Sequence, residues 1–361
     1  MSEAAPHEAR AQARAAPRHP VHLLDRAYAA WASRRKMFSG GFGDEALLAL
    51  LAGPPVYRAQ AALVSPSWGE PYEKLGLVAR DGTFPSPVEH LPEASRTAHV
   101  RHFTHAGRRG GRPARGSVVA LAGSRDAGYR LRTGLFAALV PAGIDLYLLE
   151  NPLYGLRRPP GQVREDLGTV AEQGLLIWGM VEEARALLAW LRREQQGPLC
   201  VTGYSMGGYA AAAVGSLVDH TVGVAALAAG LSPAPVYTER LLSKQIDWAR
   251  LARDAGDEHR ARARLRAFFE AGSNGRLPPP RTPQAAVVVG CTGDGYVPAE
   301  ETRLLHARYP GARLHWLSAG HISAVFTERA ALRAAVGEAL ERARLFSEPP
   351  EPLKQRPVSG P

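Results

Sequence analysis

The chain has 361 residues, of which 45% are hydrophobic and 22% charged, proportions typical of a globular protein. That length is sufficient to bury a sizeable core, in one large domain or in two ordinary ones. The formal net charge of +10 comes almost entirely from arginine, and the spread of the arginines along the chain argues against a nucleic-acid-binding module. Two interpretations of the charge remain open. The ordinary one is a biased amino-acid composition with arginines on solvated helix faces, and the other is attraction to an anionic membrane surface.

The two cysteines, Cys200 and Cys291, form neither a disulfide framework nor a metal-ligand pattern, and we expect both in buried strands. No apolar run reaches the roughly 18 residues that a membrane span needs. The N-terminus lacks the apolar core of a secretory signal. Its arginines leave a transit peptide as an alternative, against which Glu3 and Glu8 argue. The expectation is therefore a cytoplasmic protein.

The two ends of the chain differ in composition from the rest. Residues 1–20 and 347–361 are polar and rich in proline, so we predict a disordered leader and a disordered tail. Residues 21–346 are predicted to form a single domain, with an inserted cap at about 233–280.

The N-terminal part of this domain reads as two helices and two strands. Apolar spacing predicts a helix in 22–38, and acidic residues in a first turn favour another in 44–52. Short strands are predicted at about 74–80 and 98–104, flanking a turn-rich stretch at 81–87. We expect these two strands to form a mixed edge of the sheet.

From residue 117 onward, strands and helices alternate. This order predicts right-handed βαβ units and a mostly parallel, buried sheet flanked by helices. The predicted strands are 117–123, 144–152, 199–203, 222–230, 285–291 and 312–318. The predicted helices outside the cap are 129–143, 163–197, 206–217, 299–310 and 327–345.

The motif Gly-Tyr-Ser-Met-Gly places Ser205 between a predicted strand and a predicted helix. A nucleophile on such a turn needs small neighbours, because its backbone is strained and the helix crosses close to the strand. Gly203, Gly207 and Gly208 provide that space. The alternative is a plain strand-to-helix turn with an incidental serine.

A serine nucleophile needs a base that is oriented by a carboxylate. In this architecture the acid and then the histidine should each follow a later strand. Asp294 directly follows the strand at 285–291, and His321 follows the strand at 312–318. A structural role for the histidine is the alternative. Glu300 and Glu301 are the nearest other acids, although they read as exposed first-turn residues of the next helix.

Two backbone N–H groups should stabilise the oxyanion. One is predicted to be that of Met206, next after the serine. The other should come from the loop that begins at Gly123 and Ser124, unless these are ordinary turn residues.

Several residues are candidates for the substrate pocket. Glu150 and Asn151 follow a strand at the ligand-binding edge, where they would line the pocket or brace the oxyanion loop; otherwise Asn-Pro merely starts a turn. Tyr204 precedes the serine and is a further candidate. In the cap, Trp248 would join an apolar lip, unless the cap simply buries its own apolar face. The full predicted lip is Leu241, Leu242, Ile246 and Trp248.

Together the motifs resemble the family of alpha/beta-hydrolase domain-containing protein 18, from about residue 24 to 345. The segments that carry the resemblance, in chain order, are "LAGSRDAGYRLR", "LLENPLYGLRRP", "GPLCVTGYSMGG", "LLSKQIDW", "TGDGYVP" and "AGHISAVF". The resemblance implies an α/β-hydrolase fold, with Ser205 as nucleophile, His321 as base and Asp294 as acid. It also points toward hydrolysis of lipid acyl groups.

The sequence therefore predicts a serine hydrolase that cleaves a small-molecule or lipid ester or thioester and needs no metal or cofactor. The alternatives are a catalytically silent member of the fold that binds lipid or protein, an acyltransferase and, with the least support, a peptidase.

Overall fold

The computed structural model describes residues 20–105, 114–194 and 197–347. Apart from residues 20 and 347, the predicted disordered leader and tail lie outside these ranges. The described residues contain one ten-stranded sheet. Its strands are β1 (Ser67–Trp68), β2 (Tyr72–Lys74), β3 (Leu77–Pro85), β4 (Thr97–Thr104), β5 (Gly116–Leu121), β6 (Ile144–Leu149), β7 (Leu199–Tyr204), β8 (Gly223–Leu227), β9 (Ala286–Cys291) and β10 (Arg313–Leu317).

The sheet runs in the order β1-β3-β4-β6-β5-β7-β8-β9-β10, and β2 pairs with β3. All pairings from β6 to β10 are parallel, whereas β1 to β4 form an antiparallel end that joins β6. Every residue of β5 to β9 is buried, because helices cover both faces of the parallel part.

Eleven α-helices lie within the described part of the chain. They are α1 (Leu23–Ala32), α2 (Glu45–Ala52), α3 (Arg130–Phe136), α4 (Val170–Glu194), α5 (Met206–Leu217), α6 (Ala234–Thr238), α7 (Trp248–Ala255), α8 (Glu258–Ala271), α9 (Ala299–Ala307), α10 (His321–Thr327) and α11 (Arg329–Phe346). None of them is long and apolar enough to cross a lipid bilayer.

Alternating residues of the central strands enter two separate cores. In β5, Val119 and Leu121 pack with α4 and α5, whereas Val118 and Ala120 pack with α3 and α11. This alternation follows from the two-residue repeat of a strand. The sheet is therefore the middle layer of three.

Several sequence-based element boundaries were wrong. The stretch 81–87 is not a turn, because β3 continues through Asp81 to Pro85, where Asp81 pairs with Arg101 of β4. The two-residue strand β1 was not predicted, and its Trp68 ring covers Gly82, where a Cβ would lie 2.5 Å from that ring. Helix α4 begins at Val170 rather than at 163.

The C-terminal end also differs from the prediction. In place of one helix from about 327, the chain forms α10 and α11, with Glu328 between them. Helix α10 begins at His321 itself, so the histidine lies in a helical first turn.

Helix α1 forms within the predicted range 22–38 but ends at Ala32, and its buried face is not its apolar one. The residues that it buries are Asp25, Ala29 and Ala32. Leu23 and Trp31 remain 72% and 53% exposed. Burial of a carboxylate in preference to leucine and tryptophan requires specific hydrogen-bond partners.

The segment between β8 and β9 forms α6, α7 and α8 and corresponds to the predicted cap. Its apolar side chains pack against the stretch that contains Phe38 and Phe42, and against the start of α4 at Val170. Ile246 pairs with Met37 in an isolated parallel bridge. The cap and the N-terminal segment thus share one small core.

Candidate active site

Ser205 lies in the sharp turn between β7 and α5, with φ +58° and ψ −120°. Positive φ is costly for a residue other than glycine, and such strain is concentrated at functional sites. The Ser205 N–H donates to the Leu227 carbonyl of β8 at 2.8 Å, which helps to hold this conformation.

The flanking glycines are required by close backbone contacts. A Cβ on Gly203 would lie 2.4 Å from the carbonyl carbon of Gly207, and one on Gly208 would lie 2.8 Å from the Gly203 oxygen. Strand β7 and helix α5 therefore cross at a distance that no larger residue allows.

The structure brings Ser205, Asp294 and His321 together. His321 Nε2 lies 2.9 Å from Ser205 Oγ, and His321 Nδ1 lies 2.7 Å from Asp294 Oδ2. The three residues follow β7, β9 and β10, and the carboxyl ends of parallel strands meet at one edge of a sheet. His321 and Asp294 are each only 6% exposed.

The Asp294 carboxylate is oriented by its own loop. Its Oδ1 accepts hydrogen bonds from the N–H groups of Tyr296 at 2.7 Å and Val297 at 2.8 Å. Oδ2 is thereby directed at the imidazole. Glu301 was expected to be exposed, but it is buried and accepts from the Ser232 N–H at 2.8 Å.

Opposing effects act on the imidazole of His321. Burial lowers its pKa, whereas the adjacent Asp294 carboxylate raises it through charge and hydrogen bonding, with a further upward contribution from Asp25. The net result is a pKa above the ordinary value for histidine.

The predicted oxyanion donors lie close to Ser205. Met206 is the first residue of α5, and N–H groups in a helical first turn have no acceptor within the helix. A Cβ on Gly123 would lie 3.1 Å from the Tyr204 carbonyl oxygen, so the loop after β5 touches the serine turn. Arg125, two residues further on, has φ +62°.

Glu150 braces this loop from below. Its Oε1 accepts from the Gly128 N–H at 2.7 Å, and its Oε2 accepts from Arg132 at 3.2 Å. Arg132 also donates to Asp126 at 2.9 Å, so buried ion pairs connect the loop after β5 to the end of β6. Glu150 was expected either to line the pocket or to brace the oxyanion loop, and these contacts correspond to bracing. Asn151 is buried and is absent from the walls of both cavities beside Ser205.

Two cavities open beside Ser205. The first has a volume of about 130 Å³ and the second about 230 Å³, each many times what one water molecule needs. Ser205, Ser124, Val236 and Leu242 line both. Both walls are mainly apolar.

The two cavities differ in which parts of the site they contact. The first is lined by Met206, and its apolar wall includes Leu51, Ile177, Trp178, Phe268, Phe269 and Leu277. The second is lined by His321, and its apolar wall includes Tyr28, Leu131, Phe136, Tyr296, Ile322 and Phe326.

The remaining pocket candidates have different positions. Tyr204 lines the second cavity and donates its hydroxyl to the His321 carbonyl at 2.6 Å. Trp248 lies outside the walls of both cavities, donates to the Ser243 carbonyl and lies beneath Arg262. Of the predicted apolar lip, Leu242 lines the cavities, whereas Ile246 is buried in the core of the cap.

Sequence reasoning missed Asp25, whose buried carboxylate contacts the loops of both Asp294 and His321. It also missed Leu51 and Tyr28, which extend the cavity walls from the N-terminal helices. The only local signal was an acidic residue in the first turn of α1, which ordinarily indicates an exposed dipole partner.

Within residues 20–105, 114–194 and 197–347, no group of three or more His, Cys, Asp or Glu side chains is arranged to hold a metal ion. Cys200 and Cys291 are both free and buried. Burial raises the pKa of each thiol.

Comparison with known proteins identifies the family of this chain. A family model described as alpha/beta hydrolase domain containing 18 matches residues 38–270 and 255–342. The acetyl xylan esterase from Paenibacillus sp. R4 superposes with a TM-score of 0.52 at 13% identity, over 85% of this chain and 98% of that chain. The peroxisomal alpha-beta-hydrolase Lpx1 from Saccharomyces cerevisiae has a TM-score of 0.49 at 14% identity, over 79% and 94%.

The family match and the esterase superposition confirm the predicted α/β-hydrolase fold, and at such low identity the structural likeness concerns the fold alone. Because the family model covers most of the chain, including Ser205, Asp294 and His321, the chain belongs to the family of alpha/beta hydrolase domain containing 18.

Proposed function

We propose that the protein is a serine hydrolase that cleaves a carboxylic ester or thioester with an apolar acyl group. The observation that carries the proposal is the imidazole of His321, which bridges Ser205 Oγ and Asp294 Oδ2 at 2.9 and 2.7 Å beside two apolar cavities. A serine hydroxyl becomes an effective nucleophile when a positioned base removes its proton.

In the acylation step, Ser205 Oγ attacks the carbonyl carbon while His321 Nε2 takes the hydroxyl proton. The N–H of Met206 and one from Gly123 or Ser124 stabilise the negative oxygen of the tetrahedral intermediate. The intermediate then breaks its bond to the leaving group, which receives the proton from His321 and departs as an alcohol or thiol.

In the deacylation step, water attacks the acyl-enzyme and His321 takes its proton. The second intermediate releases a carboxylic acid, and the proton returns to Ser205 Oγ. Asp294 stays ionised throughout, because its role is to hold the imidazole tautomer and to stabilise the imidazolium.

The two cavities suggest where each part of the substrate binds. The leaving group must lie near His321, because this residue protonates it, and His321 lines the second cavity. The first cavity is lined by Met206 instead of His321 and would hold the acyl chain. Its leucine, isoleucine and aromatic wall favours a lipid-like acyl group over a charged or short one.

Labelling with a fluorophosphonate probe tests the proposal. We expect the wild type to react at Ser205 and Ser205→Ala not to react. Ser216→Ala is the matched control, because it removes a serine hydroxyl from the helix that Ser205 precedes, and it should label at the wild-type rate. A wild type that does not label, or a Ser205→Ala variant that labels equally well, refutes the nucleophile.

Turnover of p-nitrophenyl esters, thioesters and phospholipids by the same variants then identifies the substrate class. We expect hydrolysis of esters with apolar acyl chains by the wild type. Labelling without hydrolysis of any of these substrates would refute the hydrolase and favour a catalytically silent binding protein or an acyltransferase.

A further inference from the structure

Asp25, an acidic residue in the first turn of α1, is fully buried against the candidate site. It lies in α1, far from Asp294 and His321 in sequence, and is 0% exposed. Its Oδ2 accepts from the N–H groups of Gly295 and His321, each at 2.8 Å, and its Oδ1 accepts from the Ile322 N–H at 2.8 Å.

These three donors belong to two different segments, the loop after β9 and the first turn of α10. Gly295 directly follows Asp294, and Ile322 directly follows His321. One carboxylate therefore connects the loop that carries the acid to the helical turn that carries the base. A further hydrogen bond, from the His22 N–H to the Gly293 carbonyl at 2.9 Å, joins the start of α1 to the loop that carries Asp294.

Both loops have glycines where α1 approaches them. A Cβ on Gly320 would lie 2.7 Å from Asp25 Oδ1, and one on Gly295 would lie 3.2 Å from Asp25 Cβ. The close approach thus depends on the absence of side chains at these two positions. It also explains why α1 buries Asp25 and small alanines while Trp31 stays exposed.

The carboxylate also has an electrostatic effect on the imidazole. It lies at the first turn of α10 and contributes to the raised pKa of His321, after Asp294. Charged and titratable groups from neighbouring elements also face this site: Tyr28 and Arg125 line the same cavity as His321, Arg240 donates to the Asp294 carbonyl at 2.9 Å, and His22 lies against Gly320. The rings of Tyr204 and Tyr296 pack against His321 itself, and Cys291 lies behind Tyr204. Burial raises the pKa of all three, so that each is neutral near pH 7.

We infer that Asp25 is a positioning residue for the proposed hydrolysis: it holds the loop of Asp294 and the helical turn of His321 in register. The inference rests on the proposed function of Ser205, Asp294 and His321. A misplacement of about 1 Å in such a site can lower the rate on the order of 10²-fold.

The test measures the rate constant of fluorophosphonate labelling from pH 5 to 9 for full-length wild type, Asp25→Asn, Asp25→Glu and Ala29→Gly. Asp25→Asn keeps the side-chain size, but its amide N–H₂ faces backbone donors and its charge is lost. We expect the labelling rate constant to fall on the order of 10²-fold. On the acid side of the pH profile, the pH at which this rate constant is half its maximum (the acid-limb midpoint) should move to a lower value. Asp25→Glu keeps the charge, so it should retain the wild-type midpoint while labelling at least about tenfold more slowly.

Ala29→Gly is the matched control, because it weakens the same helix at another buried position. It should lower the melting temperature yet label within about twofold of wild type, since it leaves the carboxylate in place. Melting curves establish that each variant is folded at the labelling temperature. If Asp25→Asn does not fold, Asp25→Glu decides.

Three results would overturn the inference. The first is an Asp25→Asn variant with the wild-type rate and midpoint, and the second is an Asp25→Glu variant with the full wild-type rate. The third is an Ala29→Gly variant that loses as much labelling as Asp25→Asn, which would reduce the role of Asp25 to the stability of α1. A wild type that does not label refutes the proposed function and the inference with it, whereas the other outcomes leave the proposed function standing.

Discussion

Replacement of Asp294 by asparagine is the sharpest perturbation of the candidate site. Oδ1 of Asp294 accepts two backbone N–H groups, so the asparagine oxygen will keep that position and its NH₂ group will face His321. An N–H donor opposite Nδ1 stabilises the tautomer that carries its proton on Nε2. That tautomer cannot accept the proton of Ser205.

The expected loss follows from this geometry. Where a buried carboxylate of a serine–histidine pair is replaced by an amide, kcat falls about 10⁴-fold. At 1.36 kcal/mol per factor of ten, this is about 5.4 kcal/mol of transition-state stabilisation. Because Asp294 makes the largest upward contribution to the pKa of His321, the acid limb of the rate should also move to lower pH.

The assay is steady-state hydrolysis of a p-nitrophenyl ester together with the pH dependence of probe labelling. Asp145→Asn is the matched control. Asp145 is a buried aspartate 3.6 Å from His102, but it lies at the opposite end of its strand, where no substrate is expected. We expect this control within about threefold of wild type. If Asp294→Asn loses less than about tenfold in kcat, Asp294 is not the orienting acid.

Three further predictions concern pH, the turn and the cavities. For the wild type, kcat/KM should fall as the pH drops through a midpoint above the ordinary histidine value, because the raised pKa of His321 keeps the imidazole protonated below it. A midpoint in the pH–rate profile at or below the ordinary value of about 6.5 contradicts this. Gly203→Ala should lower the free energy of unfolding, measured by urea titration, by about 3 kcal/mol, because the added Cβ would lie 2.4 Å from backbone. The control Gly337→Ala has no atom within 4 Å of its added Cβ, so it should raise the free energy of unfolding by about 0.5–1 kcal/mol. Gly174→Leu in the first cavity should shift the ester preference to shorter acyl chains and change the rate of deacylation. Leu131→Trp in the second cavity should alter only the preference for the leaving group. If both substitutions change the presteady-state deacylation rate equally, the two assignments are refuted.

The central sheet and the order of the site residues could be predicted because their signals are local. Buried strands such as β5 and β9 are continuous apolar runs, and glycine clusters mark the turn at Ser205. Ser205 directly follows the buried strand β7, whereas Asp294 and His321 lie a few residues past the ends of β9 and of the more exposed strand β10. Parallel topology then brings the ends of these runs to one edge without any knowledge of side-chain packing.

The contribution of the N-terminal segment could not be predicted in this way. Apolar spacing in 22–38 predicts a helix but not which face it buries. Helix α1 buries Asp25, because Gly295, His321 and Ile322 offer N–H groups that only the folded chain brings within reach. The sequence by itself therefore determined the parallel part of the sheet, the position of the turn at Ser205 and the order of the candidate triad. Only the tertiary structure decided which carboxylate braces that triad and which side chains form the walls of the two cavities, since both depend on contacts between segments hundreds of residues apart.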